Sequence, residues 1–218
     1  MNNIIVGNSD FARLLAEYME DSGVNVDAFT VGKEYISDSH IMGRPVIVME
    51  ELEACYDKNK TGLYLGIGYR NLGEIKKSVY LKYVTAGFEF FNYIHPSVII
   101  NKDVEIGKGN VIFEGVVIQK HTVMGDGNLC YSNAVIMHDG NIGSFNTFGA
   151  GSVINGYVTV GDCSFVGANA TVRNGIKINN HTLVGAAAYV SGNTRNDMVI
   201  TPQPSGRCLG GIERSKNI

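Results

Sequence analysis

The chain has 218 residues, of which 44% are hydrophobic, so it is long enough to bury one large core or two modest ones. Its 18 basic and 21 acidic residues give a formal net charge of −3, which argues against a nucleic-acid partner and against a polybasic membrane anchor. The four cysteines lack C-x-x-C spacing, and the chain begins without a charged leader or a long apolar stretch. We therefore expect a protein of the reducing cytoplasm without structural zinc, disulfides or membrane contact.

The first 92 residues predict a small α/β unit. Its first helix, at 9–23, begins with Ser9 or Asp10 as the N-cap and ends at Gly23. Because strands and helices alternate, we expect a largely parallel sheet. The other predicted elements are strands at 3–7, 24–31, 44–50, 62–68 and 88–94 and a second helix near 71–85.

The turn before the first helix, GNSDFA at 7–12, lies where dinucleotide-type folds present backbone N–H groups to a phosphate. It keeps only the first glycine of the G-x-G-x-x-G pattern, and Phe29 and Thr30 end the second strand where such folds carry an acidic residue. Two alternatives stay open from the motif alone: a phosphate or sugar site, or a capped helix start that binds nothing.

Apolar residues recur at every sixth position from residue 94 to residue 190. All 17 members of this series are apolar, a match that random placement would give about once in a million at this composition. Smaller residues recur two positions earlier. A period of six fits neither an α-helix nor a simple strand, but it fits a prism with three flat faces, one hexad per face and 18 residues per coil. Residues 18 apart are then vertical neighbours at about 4.8 Å.

The segment VIMHDGNIG at 135–143 places a titratable pair inside this repeat. The six-residue phase predicts Met137 at a corner and His138 at the start of the next face, pointing outward, with Lys120 below it and Gly156 above. Of the five histidines, only His138 is followed directly by a carboxylate and lies one coil below a glycine. A solvated surface histidine is the alternative to a functional one.

Three features of the sequence resemble a known family: the [Ile/Val]-Gly-x-x-x-x register, the IHPSVII segment at 94–100 and HDGNIG at 138–143. They resemble the hexapeptide-repeat acyltransferases, and nearly the whole chain is similar to bacterial nucleotide-sugar N-acetyltransferases of the bacillosamine and perosamine type and to sialic acid O-acetyltransferases. This resemblance implies an α/β N-terminal domain followed by an all-β left-handed parallel β-helix. The implied boundaries are 1–92 for a nucleotide-sugar-binding-like domain, 93–191 for the β-helix and 192–218 for a C-terminal tail or cap.

The resemblance also implies a catalytic site at His138. An imidazole, with an ordinary pKa near 6.5, accepts the proton of an attacking amine or hydroxyl at neutral pH. Asp139 would hold its tautomer, and the backbone N–H of Gly156 would stabilise the oxyanion of the tetrahedral intermediate.

Acetyl-CoA is the implied co-substrate, with no metal, and the implied assembly is a homotrimer that binds CoA between neighbouring β-helices. Ala150, Ala168 and Ala186 form a column along which a pantetheine arm could lie, although alanines that merely tolerate a corner are the alternative. In the tail, Arg207 would meet a phosphate of CoA, or belong to a solvated cap.

The expected nucleotide-sugar contacts come from the first turn, from the GIGYR loop and from an edge near His138. They are Gly7, Asn8, Ser9, Asp10, Gly66, Gly68, Ser132 and Asn133. The chain departs from the bacillosamine enzyme at Thr147, where that enzyme has a second histidine.

These features predict an acetyl-CoA-dependent N-acetyltransferase acting on a nucleotide-linked amino-deoxysugar in surface-polysaccharide (lipopolysaccharide) biosynthesis. Two alternatives remain: a sugar O-acetyltransferase of the same architecture, and a non-catalytic β-helix scaffold.

Overall fold

The computed structural model describes residues 1–202 and begins with a six-stranded sheet. The sheet order is β3-β4-β2-β1-β5-β6, and every neighbouring pair is parallel except β3 and β4. The strands are β1 (Asn2–Val6), β2 (Ala28–Val31), β3 (His40–Ile41), β4 (Arg44–Val48), β5 (Thr61–Leu65) and β6 (Glu89–Phe90). The helices are α1 (Asp10–Asp21), α2 (Leu52–Cys55) and α3 (Glu74–Thr85), with short 3-10 turns at Lys33–Tyr35, Met49–Glu51, Lys58–Lys60 and Arg70–Gly73.

The predicted α/β unit is present, with two predicted strands shorter than expected. The strand predicted at 24–31 begins only at Ala28, because the N–H of Val24 still closes α1 by donating to the carbonyl of Met19. Gly23 ends that helix as predicted, with a left-handed φ of 81°. The strand predicted at 88–94 divides in two, and its second half belongs to the repeats that follow.

The repeats form a prism of two-residue parallel strands. Three sheets make its faces: face 1 contains β7, β10, β13, β16, β19, β22 and β24; face 2 contains β8, β11, β14, β17, β20 and β23; and face 3 contains β9, β12, β15, β18 and β21. Each strand pairs with the strand 18 residues away, as the period predicts; Val135, for example, lies between Val117 and Val153. The strands are β7 (Tyr93–Ile94), β8 (Ile99–Ile100), β9 (Glu105–Ile106), β10 (Val111–Ile112), β11 (Val117–Ile118), β12 (Val123–Met124), β13 (Leu129–Cys130), β14 (Val135–Ile136), β15 (Asn141–Ile142), β16 (Thr147–Phe148), β17 (Val153–Ile154), β18 (Thr159–Val160), β19 (Phe165–Val166), β20 (Thr171–Val172), β21 (Lys177–Ile178), β22 (Leu183–Val184), β23 (Tyr189–Val190) and β24 (Val199–Ile200).

The corners of the prism lie two to three residues later than the sequence predicts. Every sixth residue from 109 to 187 has a φ between 53° and 69°, so the chain changes direction at a left-handed residue. His138 and Asp139 therefore form the turn itself, and the expectation that Met137 is the corner is wrong. The reason is that the turn requires the left-handed conformation, which Asp139 adopts with a φ of 54°.

Inside the prism, the large hexad positions and the smaller series are both buried. On the edge between faces 3 and 1 the small series is polar, and its side chains form a ladder: Asn110 Oδ1 accepts from the N–H of Asn128 at 2.8 Å, and Asn128 Oδ1 accepts from that of Asn146 at 2.9 Å. These bonds satisfy buried amides and hold adjacent coils in register.

The N-terminal unit packs on face 1. Tyr18 of α1 lies 4.8 Å from Phe113 between ring centroids, and Tyr80 of α3 lies 5.3 Å from Phe145. The two apolar clusters of the unit both include residues of the repeats, so this face is covered within the chain. None of the helices in residues 1–202 is long and apolar enough to cross a membrane.

Candidate active site

His138 and Asp139 form a hydrogen-bonded pair on the edge between faces 2 and 3. The His138 Nδ1 atom lies 2.7 Å from Asp139 Oδ2, and both side chains are roughly one-third exposed. The predicted vertical stacking is present, because the N–H of Asp139 donates to the carbonyl of Lys120 and the N–H of Tyr157 donates to that of His138. The carboxylate on Nδ1 leaves Nε2 as the nitrogen that can exchange a proton with a ligand.

Gly156 lies directly against the imidazole. A Cβ atom at residue 156 would lie 2.6 Å from His138 Cε1 and 2.8 Å from Nε2, so any side chain there would displace the ring. Within residues 1–202 the N–H of Gly156 makes no hydrogen bond, whereas on the next edge the N–H of Asp126 is taken by Ser144 from the coil above. The geometry therefore leaves one backbone donor free beside Nε2.

Tyr157 is a third side chain at this site, and the sequence analysis missed it. Its ring stands edge-on to His138, with centroids 5.3 Å apart and planes at 87°, and it is 61% exposed. It occupies the left-handed corner position with a φ of 57°, which is uncommon for an aromatic residue. The 18-residue register, which places residue 157 directly above Asp139, was the signal that could have found it.

A neighbouring carboxylate does not distinguish His138 from the other histidines once the chain is folded. His121 Nδ1 lies 3.2 Å from Asp103 Oδ2, and His181 Nε2 lies 2.7 Å from Glu74 Oε1. What distinguishes His138 is the bare glycine against its ring. His95, by contrast, makes the predicted local turn contact, with Nδ1 2.8 Å from Ser97 Oγ.

The alanine column lies on a different edge, between faces 1 and 2. The carbonyl of Ala150 accepts from Asn169 at 2.9 Å and that of Ala168 from Ala187 at 2.8 Å, so Ala150, Ala168 and Ala186 stack as predicted. Their own N–H groups make no hydrogen bond to any residue in 1–202. Arg207 lies outside the described residues.

Ser132 and Asn133 belong to this second edge, directly below Ala150, since Gly151 donates to the carbonyl of Ser132 at 3.0 Å. The expectation that they adjoin His138 is wrong, because six residues carry the chain to the next edge of the prism. The Ser132 hydroxyl instead donates to Glu114 Oε1 at 2.7 Å.

A cavity of about 350 Å³ opens at the carboxyl ends of β1, β2 and β5. The predicted Gly7, Asn8, Ser9, Gly66 and Gly68 line it, whereas Asp10 does not. The first turn approaches closely, because a Cβ at Gly7 would lie 2.5 Å from the Gly66 carbonyl oxygen. Backbone N–H groups and the start of α1 suit this cavity to a phosphate.

Three further side chains of the cavity were missed from sequence: Thr30, Tyr35 and Arg70. Arg70 adds a positive charge, and the carbonyl of Tyr35 accepts from the Asn8 amide at 2.7 Å. At the floor, burial raises the pKa of Tyr83 to about 12, so its hydroxyl stays protonated and pairs with Thr30 at 3.0 Å.

Thr147 lies on the outward side of face 1 and is buried under α3. Its hydroxyl is 3.4 Å from the Nζ atom of Lys76, so the position held by a second histidine in the bacillosamine enzyme faces the N-terminal unit here.

Scans against protein-family models and curated proteins find no match, but solved structures match over nearly the whole chain. PerB from Caulobacter crescentus, solved with CoA and GDP-perosamine, has 25% identity and a TM-score of 0.81 over 92% of this chain and 94% of its own. The acetyltransferase domain of PglB from Neisseria gonorrhoeae, solved with acetyl coenzyme A, has 19% identity and a TM-score of 0.80 over 92% and 95%. WeeI from Acinetobacter baumannii has 17% identity and a TM-score of 0.77 over 93% and 94%.

The two matches below 25% identity support the fold, and PerB supports a closer relation. The fold class predicted from sequence, an α/β domain followed by a left-handed parallel β-helix, is confirmed. The chain is an acyltransferase of the hexapeptide-repeat type, similar to the nucleotide-sugar N-acetyltransferases.

Proposed function

We propose that this protein transfers an acetyl group from acetyl-CoA to the amino group of a nucleotide-linked amino-deoxysugar. The observation that carries the proposal is the His138–Asp139 pair under the bare Gly156, on a fold shared with a GDP-perosamine N-acetyltransferase that was solved with CoA. Surface-polysaccharide (lipopolysaccharide) assembly in the cytoplasm is the setting that this substrate class suggests.

In the proposed reaction the sugar amine attacks the thioester carbonyl while His138 Nε2 takes a proton from the amine nitrogen. Asp139 keeps the other ring proton on Nδ1 and stabilises the imidazolium that forms. The N–H of Gly156 donates to the oxyanion, and on collapse the carbon–sulfur bond breaks and the imidazolium returns its proton to the CoA thiolate.

The substrate subsites follow from the two other features of the fold. The nucleotide phosphates fit the cavity beside Gly7 and Arg70, where backbone donors and a guanidinium converge. The pantetheine amides of CoA fit the free N–H groups of Ala150, Ala168 and Ala186.

These subsites lie apart in one chain, which supports a homo-oligomeric site. The cavity belongs to the unit on face 1, whereas His138 lies on the opposite edge of the prism and the alanine column on a third position. A neighbouring copy would bring its own elements to His138. Face 2 offers the surface for this contact: its outward column is apolar, with Ile99 58% and Tyr189 57% exposed. We propose the predicted homotrimer as this assembly.

The proposal is tested by thiol release from acetyl-CoA with a panel of nucleotide sugars that carry an amine, only hydroxyls, or neither. Release only with the amine, with an acetylated sugar in the mass spectrum, is the expected result. Release with the hydroxyl-only sugars would assign an O-acetyltransferase instead. If no sugar supports release, or if His138→Ala retains the activity of the matched His121→Ala control, the proposed function is wrong.

A further inference from the structure

A second group of reactive side chains lies on the edge between faces 3 and 1, away from His138. Glu74 is the first residue of α3, while Cys163 and His181 are successive corner residues of the prism. Their ligand atoms (one carboxylate oxygen, the thiol sulfur and an imidazole nitrogen) all lie within 4.8 Å of one another. Cys163 is fully buried, and the other two side chains are each 37% exposed, so the group is reachable from solvent on one side.

The chain holds these three groups together at a cost. Cys163 and His181 have φ angles of 53° and 54°, which β-carbon-bearing residues adopt unfavourably. Glu74 follows Asn71, Leu72 and Gly73, all left-handed as well. Three consecutive left-handed residues are rare, and here they turn the start of α3 onto the prism.

The donor set matches that of a zinc-type cation. Thiolate, imidazole and carboxylate are the three side-chain ligands that Zn²⁺ uses, with bonds of about 2.0 to 2.3 Å. In a tetrahedral site these bonds place ligand atoms about 3.3 to 3.8 Å apart, a separation that small side-chain rotations would reach from the present arrangement. Both groups that face the Glu74 carboxylate, the imidazole at 2.7 Å and the Cys163 thiol, present protons that a cation would replace.

A fourth side chain stands in the position of an outer-shell partner. Asp197 Oδ1 lies 3.7 Å from the other imidazole nitrogen of His181, Nδ1. Metal-binding histidines generally donate this second N–H to a carboxylate, which fixes the tautomer for ligation. Lys77 Nζ, 3.7 Å from Glu74 Oε1, is the cation that a metal would compete with, and its flexible stem can swing into solvent.

We propose that Glu74, Cys163 and His181 bind one divalent transition-metal ion of the zinc type, which joins α3 to the prism. Binding releases the thiol proton to solvent and moves the imidazole proton from Nε2 to Nδ1, toward Asp197. The fourth coordination position is left for water. The role is structural, because the site lies on a different edge from the acyl-transfer pair.

The test uses the full-length protein, stripped of metal with a chelator and titrated with Co²⁺. We expect one equivalent to produce the near-ultraviolet thiolate-to-cobalt band together with visible bands of tetrahedral intensity, and Zn²⁺ to displace it. Cys163→Ser should abolish the near-ultraviolet band, His181→Asn should weaken binding, and Asp197→Asn should weaken it about 10- to 100-fold. Cys55→Ser, which removes an exposed thiol on α2, is the matched control and should bind as the wild type does.

Two outcomes would overturn the proposal: no thiolate band in the wild-type protein, or an undiminished band in Cys163→Ser. Circular dichroism of each variant separates lost binding from lost folding, and the half-exposed His181→Asn provides the test if Cys163→Ser does not fold. Because the readout is metal absorption, the result stands whether or not the protein acetylates a sugar.

Discussion

At residue 156 the missing side chain is what allows the His138 imidazole to lie between two coils. Gly156→Ala adds a Cβ atom 2.6 Å from Cε1, so the ring must rotate away and the free backbone donor is blocked. Loss of one oxyanion donor costs about 3 kcal/mol, and we expect kcat to fall by about 100-fold or more with little change in unfolding temperature. Steady-state kinetics check this, with Gly192→Ala as the control because that glycine has no neighbour within 4 Å.

The carboxylate at Asp139 acts on the proton position of His138 rather than on substrate. Asp139→Asn preserves the shape of the pair but removes the charge that supports the imidazolium, so we expect kcat to fall while KM for acetyl-CoA changes little. His138→Ala should lower kcat by about 100- to 10,000-fold. Equal activity of Asp139→Asn and wild type would show that Asp139 serves only as a corner residue.

At the scale of elements, α3 carries a fully buried lysine into its contact with the prism. Lys76 Nζ donates to the carbonyl of Asn146 at 2.8 Å, and no carboxylate in residues 1–202 pairs with it. Burial lowers the pKa of Lys76 from 10.5 to about 7. Between these two values the unfolded chain binds a proton that the folded chain does not, so this residue makes stability rise with pH from about 7 to about 10.5.

Lys76→Met should remove that pH dependence. Relative to Lys76→Met, the wild-type free energy of unfolding should rise with pH above 7 by at most about 1.4 kcal/mol per pH unit, and the difference should be constant below pH 7. Urea denaturation at several pH values measures it, with the exposed Lys82→Met on the same helix as the control. Parallel pH profiles for wild type and Lys76→Met would contradict the lowered pKa of Lys76.

At the scale of the whole molecule, the outward apolar column of face 2 decides whether one chain can work alone. Val153→Glu places a charge in the middle of this column without touching the inward core, because outward and inward side chains alternate along the strand. We expect this variant to convert a homotrimer into folded monomers and to abolish turnover. Light scattering after gel filtration checks the mass; an active wild-type monomer would contradict the proposed shared site.

The repeat was predictable because its signal is local and is restated in every hexad. Burial of one large residue in six requires only that each coil stack on the previous one, so residue spacing alone placed His138 under Gly156. The corner position was misjudged by up to two residues, since apolar periodicity reports which side chains point inward and carries little information on where φ changes sign. The same error placed Ser132 beside His138, although it lies one edge away.

The sequence by itself determined the coiled prism, the parallel α/β unit before it and the His138–Asp139–Gly156 constellation, because each depends on periodic burial or on neighbours a constant 18 residues apart. Only the tertiary structure decided that the nucleotide cavity and His138 lie on opposite sides of the prism, that Lys76 is buried against Asn146 and that Glu74 meets Cys163 and His181. These contacts join segments far apart in the chain through the packing of α1 and α3 on face 1. No repeat encodes that packing, since it depends on the fit of two surfaces rather than on the spacing within either.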